Sequence, residues 1–567
     1  MTARKQRTSP LGLGVFGSDY SLTFFSEARL ASLSARLGHN KVNQIVDKVA
    51  GIISDRMKTI DRVPAPPEDR TSMLGAEKGY ILACVTAYFE QIHPFHPFLN
   101  RKQFEALALG TQASSLLAED KTWSALFYAV LALGSQCRDG GSFQPGKKLA
   151  WRFFSIALAL FPDLLIAKST LTTIQIGTVL VLEGAKRAQA FGYNKATTSP
   201  NDARSRTFWV LYCLEKMISF NTGKSSVLND SDISCTIAPL PEPAFGNFDW
   251  LLTFVKHTRL LARLHATLYS VSAAGRSLEY YRAAVQQLLG ELEVWKSTIP
   301  SNLKPGEALQ PHALPGSQMI MIYIMVNYLY YNTALTLHRA ALQLEIDGQE
   351  TGCLSPKSGN VRREASMLAL IKSARSILEL TRFIEVEPHT PIWYVREVRL
   401  GREVAANGHA RVLAAVPLGA LFVLFDLVIH NPNHAETSTN LAVLDVGGGY
   451  FSRIEYKSDG NLPGSLAAGF AHIAREYVQN TQKNAGLSDH LRRRSSSSEI
   501  SAEVNTASVE SVMPSGASDT SGTRLDSAVY ENYYMATDLS TGTNMMEIFG
   551  AYDPGIDAMF GFVEENW

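Results

Sequence analysis

The segment Ala203–Ile233, ARSRTFWVLYCLEKMISFNTGKSSVLNDSDI, decides the fold class because it joins an apolar-striped helix to a polar loop and an Asp-Ser-Asp turn. Ser199 and Pro200 stand where a helix N-cap and a first helical residue belong, and Gly223 suits the left-handed conformation that closes a helix. The apolar residues recur at helical spacing: Phe208, Trp209, Leu211, Tyr212 and Met217. The pattern predicts a helix from about Pro200 that ends before Gly223. Taken alone, it would fit a buried helix in any α-helical protein.

Similar helical patterns follow one another from about Asp19 to Tyr477, and alternating strand patterns are almost absent. They predict a helix at 77–99 that is broken at Pro94 and Pro97, and further helices at 123–134, 147–160, 170–183, 200–220, 248–270, 278–298, 317–344 and 364–383. The glycine run at 447–449 predicts a helix interruption. Because no fixed period repeats, we expect an all-α fold, an irregular multi-helix domain of packed helix pairs.

The composition restricts the class of protein. With 46% hydrophobic residues and a formal net charge of zero, the chain can bury a large core and has no overall field to attract nucleic acid or membrane. The five cysteines are scattered without a CxxC pair, which favours a reducing compartment. The N-terminus shows no signal-peptide run. The apolar segment Val412–Ile429 carries Pro417, Gly419 and Asp426, so we expect a buried helix there rather than a membrane span.

Composition also divides the chain. Residues 1–17 are predicted to be disordered, 18–477 to form the helical domain, 478–544 to be a Ser/Thr-rich disordered linker and 545–567 to be an acidic and aromatic segment. Within the domain, residues 394–411 are a polar insert between two apolar passages. The last segment alternates acids with aromatic anchors, which is typical of transcriptional activation segments: Phe549, Tyr552, Phe560, Phe562 and Trp567. A C-terminal strap packed on the protein's own core is the alternative.

Four motifs, in order along the chain, resemble one family. The first lies at Ala87–Phe104, the second in Ala203–Ile233, the third at Tyr328–Arg339, and the fourth runs from Asn431-Pro432 to Arg453. Their identifying residues are Tyr88, Phe89, His93, Pro94, Pro97 and Phe98, then Arg204, Arg206, Phe208, Trp209, Tyr212, Gly223, Asp230 and Asp232, then His338 and Arg339. Together they resemble the middle regulatory domain of fungal-specific transcription factors of the zinc-cluster type, and within that family the quinate-utilisation and xylanolytic activator branch.

The resemblance implies a nuclear, DNA-binding transcriptional activator of carbon-source metabolism whose helical domain controls the acidic tail. It further implies the transcription machinery or a co-activator as partner, a small-molecule inducer and a homodimer. Family members bind two zinc ions through an N-terminal cluster of six cysteines, whereas no cysteine of this chain precedes Cys84. We therefore expect no cofactor and no metal in this chain, with DNA contact through the family's missing cluster. A helical hairpin that the family has between Leu182 and Ala185 is also missing.

No catalytic motif is present, which favours a protein that is not an enzyme. His93 is interpreted as part of a structural corner, and Asp230 and Asp232 as loop and cap groups rather than metal ligands. Aromatic residues could line an effector pocket or form ordinary core: Tyr323, Tyr328, Tyr330, Tyr331 and Trp393. Two alternatives remain open, a co-regulator that acts through a full-length paralogue and a helical enzyme of unrecognised chemistry.

Overall fold

A computed structural model of the protein describes most of the helical domain. The described residues are 27–48, 78–138, 141–142, 147–160, 164, 170–177, 181–196, 202–222, 225–238, 240, 244–273, 275–309, 314, 316–350, 356–387, 398–400, 403–405, 412–460 and 464–499. The predicted N-terminal disorder at 1–17 and the acidic segment at 545–567 lie outside them. The caps expected at Ser199 and Gly223 also lie outside the described residues.

The described part of the chain is α-helical apart from one short hairpin, which confirms the all-α prediction. The helices are α1 (Glu27–Leu37), α2 (Lys78–Gln91), α3 (Arg101–Leu109), α4 (Ala113–Glu119), α5 (Lys121–Gln136), α6 (Lys148–Ala159), α7 (Leu171–Gly177), α8 (Val181–Ala190), α9 (Asp202–Thr222), α10 (Trp250–Leu264), α11 (Leu278–Ser297), α12 (Gly316–Glu350), α13 (Pro356–Leu380), α14 (Val412–His430), α15 (Thr437–Lys457) and α16 (Gly464–Glu499). A π-helical turn, His265–Tyr269, extends α10.

Short polar side chains begin several of these helices by binding backbone N–H groups that have no partner within the helix. Four such side chains accept a hydrogen bond from a backbone N–H group: Asn100 from Gln103 at 3.0 Å, Asp120 from Trp123 at 2.9 Å, Asp249 from Leu252 at 2.9 Å and Ser277 from Tyr280 at 3.2 Å. These caps fix the starts of α3, α5, α10 and α11. The sequence therefore sets helix boundaries locally, before any packing.

Helices adjacent in sequence pack against each other as pairs. Such pairs include α5 with α6, α9 with α10, α12 with α13 and α15 with α16, and α2 also packs on α5. Where α2 crosses α5 the backbones lie in direct contact, since a Cβ built on Gly134 would collide with the carbonyl oxygen of Cys84. Only glycine permits this approach.

α14 is the most apolar helix, and its described side chains from Val416 to His430 are all buried. It packs against α13, α15 and α16 within the domain. No helix in the described part of the chain is long and apolar enough to cross a membrane. The prediction of a buried helix at Val412–Ile429 therefore agrees with the structure, and Pro417 is accommodated inside the helix.

The N-terminal helices contact helices that come much later in the chain, α14 and α16. Arg36 of α1 donates from Nε to the carbonyl oxygen of Ile429 at 3.1 Å and from Nη2 to that of His430 at 3.2 Å. Residues 41–48 are helical, and Lys41 pairs with Glu476 of α16 at 2.8 Å. The guanidinium thus binds the negative C-terminal end of α14, where a cation is favourable.

Two sequence predictions are wrong within the described residues. The glycine run at 447–449 does not interrupt a helix, because α15 continues through it. A Cβ on Gly448 would lie 3.3 Å from Cα of Ala468, so Gly448 lets α16 approach closely. The predicted disorder from residue 478 is also wrong for 478–499, where α16 continues to Glu499. The packed first turns supply the helix nucleus that an isolated polar segment lacks.

Both predicted departures from the family lie partly within the described residues. In the insert 394–411, strand β1 (Val398–Leu400) pairs antiparallel with β2 (Glu403–Ala405), with Leu400 opposite Glu403. This hairpin is the exception to the all-α prediction, and the two residues between its strands are Gly401-Arg402. At the junction between Leu182 and Ala185, where the family is expected to have a helical hairpin, α8 runs continuously and buries Ala185 and Ala188 completely.

Candidate regulatory site at helix α9

Helix α9 carries a buried carboxylate that binds the loop following it, here called the 225–236 loop. Glu215 is 0% exposed. Its Oε1 accepts from the backbone N–H of Val227 at 2.8 Å and from Ser219 Oγ at 2.9 Å, and its Oε2 accepts from Ser226 Oγ at 2.7 Å. Because a buried carboxylate is stable only when its oxygens are satisfied, Glu215 and the loop require each other.

A second set of contacts holds the Asp-Ser-Asp turn. Tyr212 donates from its hydroxyl to Asp230 Oδ2 at 2.7 Å, and Lys216 Nζ lies 2.9 Å from Asp230 Oδ1. Lys216 also donates to the carbonyl oxygen of Leu228 at 2.5 Å. Burial raises the pKa of Tyr212 well above its ordinary value, and the Asp230 carboxylate raises it further. The tyrosine therefore stays protonated and acts as a donor, which makes Asp230 a structural group.

The end of the 225–236 loop is fixed to the start of α9. Trp209 donates from Nε1 to the carbonyl oxygen of Thr236 at 3.1 Å, and Ser205 Oγ donates to the same oxygen. Asn194 Nδ2 donates to the carbonyl oxygen of Asp232 at 2.7 Å, although the Asp232 side chain is exposed. The guanidinium of Arg259 lies 4.9 Å from the centre of the Trp209 ring. Both ends and the middle of the loop are thus held by polar contacts.

The remaining residues of the second motif support this framework. Phe208 is fully buried and meets Trp209 edge-on, with ring centres 5.4 Å apart. Arg206 is also buried, and the guanidinium of Arg204 stacks 5.2 Å from the Tyr193 ring. These residues therefore belong to the packed interior and its margin.

The first motif forms a corner at residues 93–99 that converges on the same helix. His93 Nε2 lies 2.9 Å from the carbonyl oxygen of Leu99, which closes the corner, and Pro94, Pro97 and Phe98 are buried. The carbonyl oxygen of Phe98 accepts from Gln175 Nε2 at 3.0 Å and from Thr207 Oγ1 at 3.4 Å, and that of Phe95 accepts from Trp250 Nε1 at 3.2 Å. The corner is therefore bound to α7, α9 and α10.

An aromatic cluster anchors this corner to α2, α3 and α5. The Phe89 ring lies 5.0 Å from that of His93 and 5.6 Å from that of Phe104. Tyr88 is fully buried, and burial raises the pKa of its hydroxyl well above the ordinary value. His93 is thus enclosed by aromatic and backbone groups, as the interpretation of a structural corner requires.

The third motif lies on α12 and also consists of interior contacts. The hydroxyls of Tyr323 and Tyr328 donate to the carbonyl oxygens of Glu307 and Ile377 at 2.6 and 3.3 Å, and Tyr330 donates to Glu293. Tyr331 is buried, His338 and Arg339 are half-buried, and Trp393 lies outside the described residues. Burial lowers the pKa of His338. These protein-bound hydroxyls favour the core role of the tyrosines over an effector pocket.

A buried histidine that the sequence did not single out connects α10 to α12. His257 is 1% exposed, and its Nε2 lies 3.0 Å from both the carbonyl oxygen of Leu329 and Thr333 Oγ1. The carbonyl partner requires a proton on Nε2, whereas the buried Nδ1 has no hydrogen-bond partner in the described structure. Burial lowers the pKa of His257 to about 4, so the ring is neutral near pH 7.

The described residues offer no site for a zinc cluster. They contain no group of three or more His, Cys, Asp or Glu side chains that could hold a metal ion. Cys84, Cys137, Cys213 and Cys235 form no disulfide and lie on separate elements. Burial raises the pKa of both Cys137 and Cys213 to about 12, which opposes the thiolate form that zinc needs. These four cysteines do not fit the six-cysteine cluster of the family.

Comparison with known proteins defines the class of this framework. Residues 192–297, which include α9 and the 225–236 loop, match the fungal specific transcription factor domain. This part of the chain is therefore similar to the fungal specific transcription factor domain, in agreement with the family that the four sequence motifs resemble. No solved structure matches the chain.

Individual relatives agree with this assignment. An ABC-transporter-regulating transcription factor of Aspergillus oryzae is 21% identical over 467 residues, covering 74% of this chain and 48% of the relative. Its namesake in Aspergillus fumigatus is 20% identical, covering 83% and 55%. The lactose regulatory protein of Kluyveromyces lactis is 25% identical over 216 residues, covering 35% and 24%. The chain thus spans about half the length of the first two relatives.

Proposed function

We propose that this chain is the regulatory part of a fungal transcriptional regulator and not an enzyme. The observation that carries the proposal is that the polar residues of its motifs, Tyr212, Glu215 and Asp230, bind one another and the backbone. Such groups position chain segments and offer no activated nucleophile or paired acid and base. A helical enzyme would need its reacting groups elsewhere in the chain.

The target genes of this regulator include those of ABC transporters. Two relatives named for that regulation align with 74% and 83% of the chain. Regulation of carbon-source genes is the second candidate, which the shorter match to the lactose regulatory protein supports. Deleting the gene and measuring transcripts with and without a toxic transporter substrate tests the choice. Unchanged transporter transcripts beside altered sugar-utilisation transcripts would favour the second candidate.

The helical domain controls residues 545–567 as an activation segment that recruits the transcription machinery or a co-activator. The segment from 495 to 567 holds twelve acidic residues against a single base, Arg524, and its aromatic anchors lie among those acids. Fusing Met545–Trp567 to a heterologous DNA-binding domain tests this role with a reporter gene. A matched fusion with Phe549, Tyr552 and Phe560 changed to alanine should lose activity. Equal activity of the two fusions would refute the anchor role.

The regulator works in the nucleus and reaches DNA through a zinc cluster outside these 567 residues, or through a paralogue that carries one. A small-molecule inducer and a homodimer belong to the same proposal. A gel-shift assay with the chain as given, alone and with the paralogue, separates the two routes to DNA. Specific nanomolar binding by this chain alone would refute both.

A further inference from the structure

The last described helix, α16, runs from Gly464 to Glu499. Its first turns are packed against α14 and α15 through Ala467, Phe470, Ala474 and other residues, and Val478 is its last buried side chain among the described ones. The next described side chains, at 479–483, are exposed or half-buried. The helix nevertheless continues to Glu499.

The last turns of α16 have a distinctive sequence, Leu491-Arg-Arg-Arg-Ser-Ser-Ser-Ser-Glu499. Ser495 and Ser496 each have an arginine two residues before them and another three residues before them. Ser497 has an arginine only at the third residue before it, and Ser498 has no arginine at either position. Guanidinium groups in this position pair with carboxylates in the substrate groove of arginine-directed serine kinases. We propose that Ser495 and Ser496 are phosphorylation sites for a kinase of this class.

The four serines lie in the last turns of α16, which ends at Glu499. The end of a helix frays readily, because its final carbonyl groups have no partner within the helix. Serine is a weaker helix former than alanine, leucine or arginine, so the run 495–498 lowers the stability of the last turn. The terminal turn can therefore unwind into the extended form that a kinase groove binds, without disturbing the turns that end at Val478.

The chemistry of the step is balanced with ATP as the phosphoryl donor. The serine Oγ forms a bond to the γ-phosphorus of ATP, the bond from that phosphorus to the β-phosphate oxygen breaks, ADP leaves, and the hydroxyl proton passes to the kinase. Each phosphate adds about −1.5 to −2 charges at neutral pH. Two phosphates therefore cancel the positive charge of Arg492–Arg494, which is the only basic run beside the acidic tail.

The test uses the purified full-length chain, ATP and the catalytic subunit of cAMP-dependent protein kinase as an arginine-directed probe. Mass spectrometry of the intact protein and of its peptides should show up to two phosphates, located on Ser495 and Ser496. The double variant S495A/S496A should lose this incorporation, whereas the matched variant S498A should retain it. Changing Arg492 and Arg493 to glutamine should lower the phosphorylation rate of Ser495 roughly tenfold.

Two results would overturn the proposal. One is phosphorylation of Ser498 at a rate equal to that of Ser495, because the arginines would then contribute nothing. The other is no incorporation above the level of S495A/S496A. All variants lie at least fourteen residues after Val478, the last buried side chain among those described in α16, so thermal unfolding of each should match that of the unchanged chain and show that it is folded.

Discussion

Replacing Glu215 with alanine tests whether the 225–236 loop depends on α9. The change removes a fully buried carboxylate that accepts hydrogen bonds from Val227, Ser219 and Ser226. Both serine hydroxyls can rotate towards other acceptors, and Ser226 Oγ already lies 3.0 Å from the Leu228 carbonyl oxygen. The backbone N–H of Val227 cannot rotate, so it would lose its acceptor.

The expected loss follows from these contacts. A net hydrogen bond to a charged group contributes about 1.5–3 kcal/mol, and breaking a buried charged network costs about 3–5 kcal/mol. We expect Glu215→Ala to lower the free energy of unfolding by about 3–5 kcal/mol. Glu215→Gln keeps the volume and one acceptor oxygen but turns an amide N–H₂ towards a donor. It should therefore cost less, about 1–3 kcal/mol.

Urea unfolding followed by far-UV circular dichroism measures the effect, and limited proteolysis reports whether cleavage within the 225–236 loop accelerates. Glu90→Ala is the matched control, because Glu90 is an exposed residue near the end of α2. That control should stay within about 0.5 kcal/mol of the unchanged protein. If Glu215→Ala and Glu90→Ala unfold at the same urea concentration and the loop is cut no faster, Glu215 does not hold the loop.

Three further perturbations test other parts of the framework. Gly134→Ala forces a Cβ against the carbonyl oxygen of Cys84 and should lower the free energy of unfolding in urea by about 3 kcal/mol. Its control, Gly290→Ala, places the Cβ in open space and should raise that free energy by about 0.5–1 kcal/mol. Equal effects of the two changes would contradict the close crossing of α2 and α5. Tyr212→Phe removes a donor to a carboxylate and should cost about 1.5 kcal/mol; an unchanged thermal midpoint would argue against that bond. Burial lowers the pKa of His257 from 6.5 to about 4, so the unfolded chain binds a proton more tightly than the folded protein does. The free energy of unfolding should therefore be highest above pH 6.5 and fall by about 2 kcal/mol between pH 7.5 and pH 5. His257→Gln should flatten that part of the profile, and an unaltered slope would assign it to other groups.

The sequence predicted the helices well where the apolar period and the cap agree. The predicted helices at 123–134 and 278–298 correspond to α5 and α11, which begin after Asp120 and Ser277. Local sequence is sufficient to predict these helices, because a capping side chain binds the free backbone N–H groups of its own first turn. An apolar stripe, in turn, can be buried against any neighbouring helix.

The role of Glu215 could not be predicted from local pattern. In an apolar helix, one acidic residue beside a lysine is ordinarily assigned to the solvent-exposed face. Its burial depends on Val227, which lies twelve residues later in the chain and returns to α9 in three dimensions. A signal was nevertheless present, because Tyr212, Glu215, Lys216 and Ser219 recur at helical spacing and so share one polar face within that apolar helix.

The sequence misled where packing overrides intrinsic propensity. Three consecutive glycines are poor helix formers, yet Gly447 and Gly448 lie inside α15 because small residues admit Leu378 and Ala468 at close range. The hairpin of the insert has a local sequence signal. Val-Arg-Leu and Glu-Val-Ala around Gly401-Arg402 have the two-residue spacing of a tight β-turn.

The first two motifs both bind α9, so any movement of this helix would disturb both of them. The corner binds α9 through Thr207, and the 225–236 loop binds it through Trp209, Tyr212 and Glu215. A movement of α9 would have to break both sets of hydrogen bonds at once, so intermediate positions are disfavoured. A ligand or partner that switches such an element from 1:99 to 99:1 must favour one state by about 5.5 kcal/mol. Weak surface contacts cannot supply that difference, and an effector acting through α9 must therefore replace contacts of the 225–236 loop or of the corner.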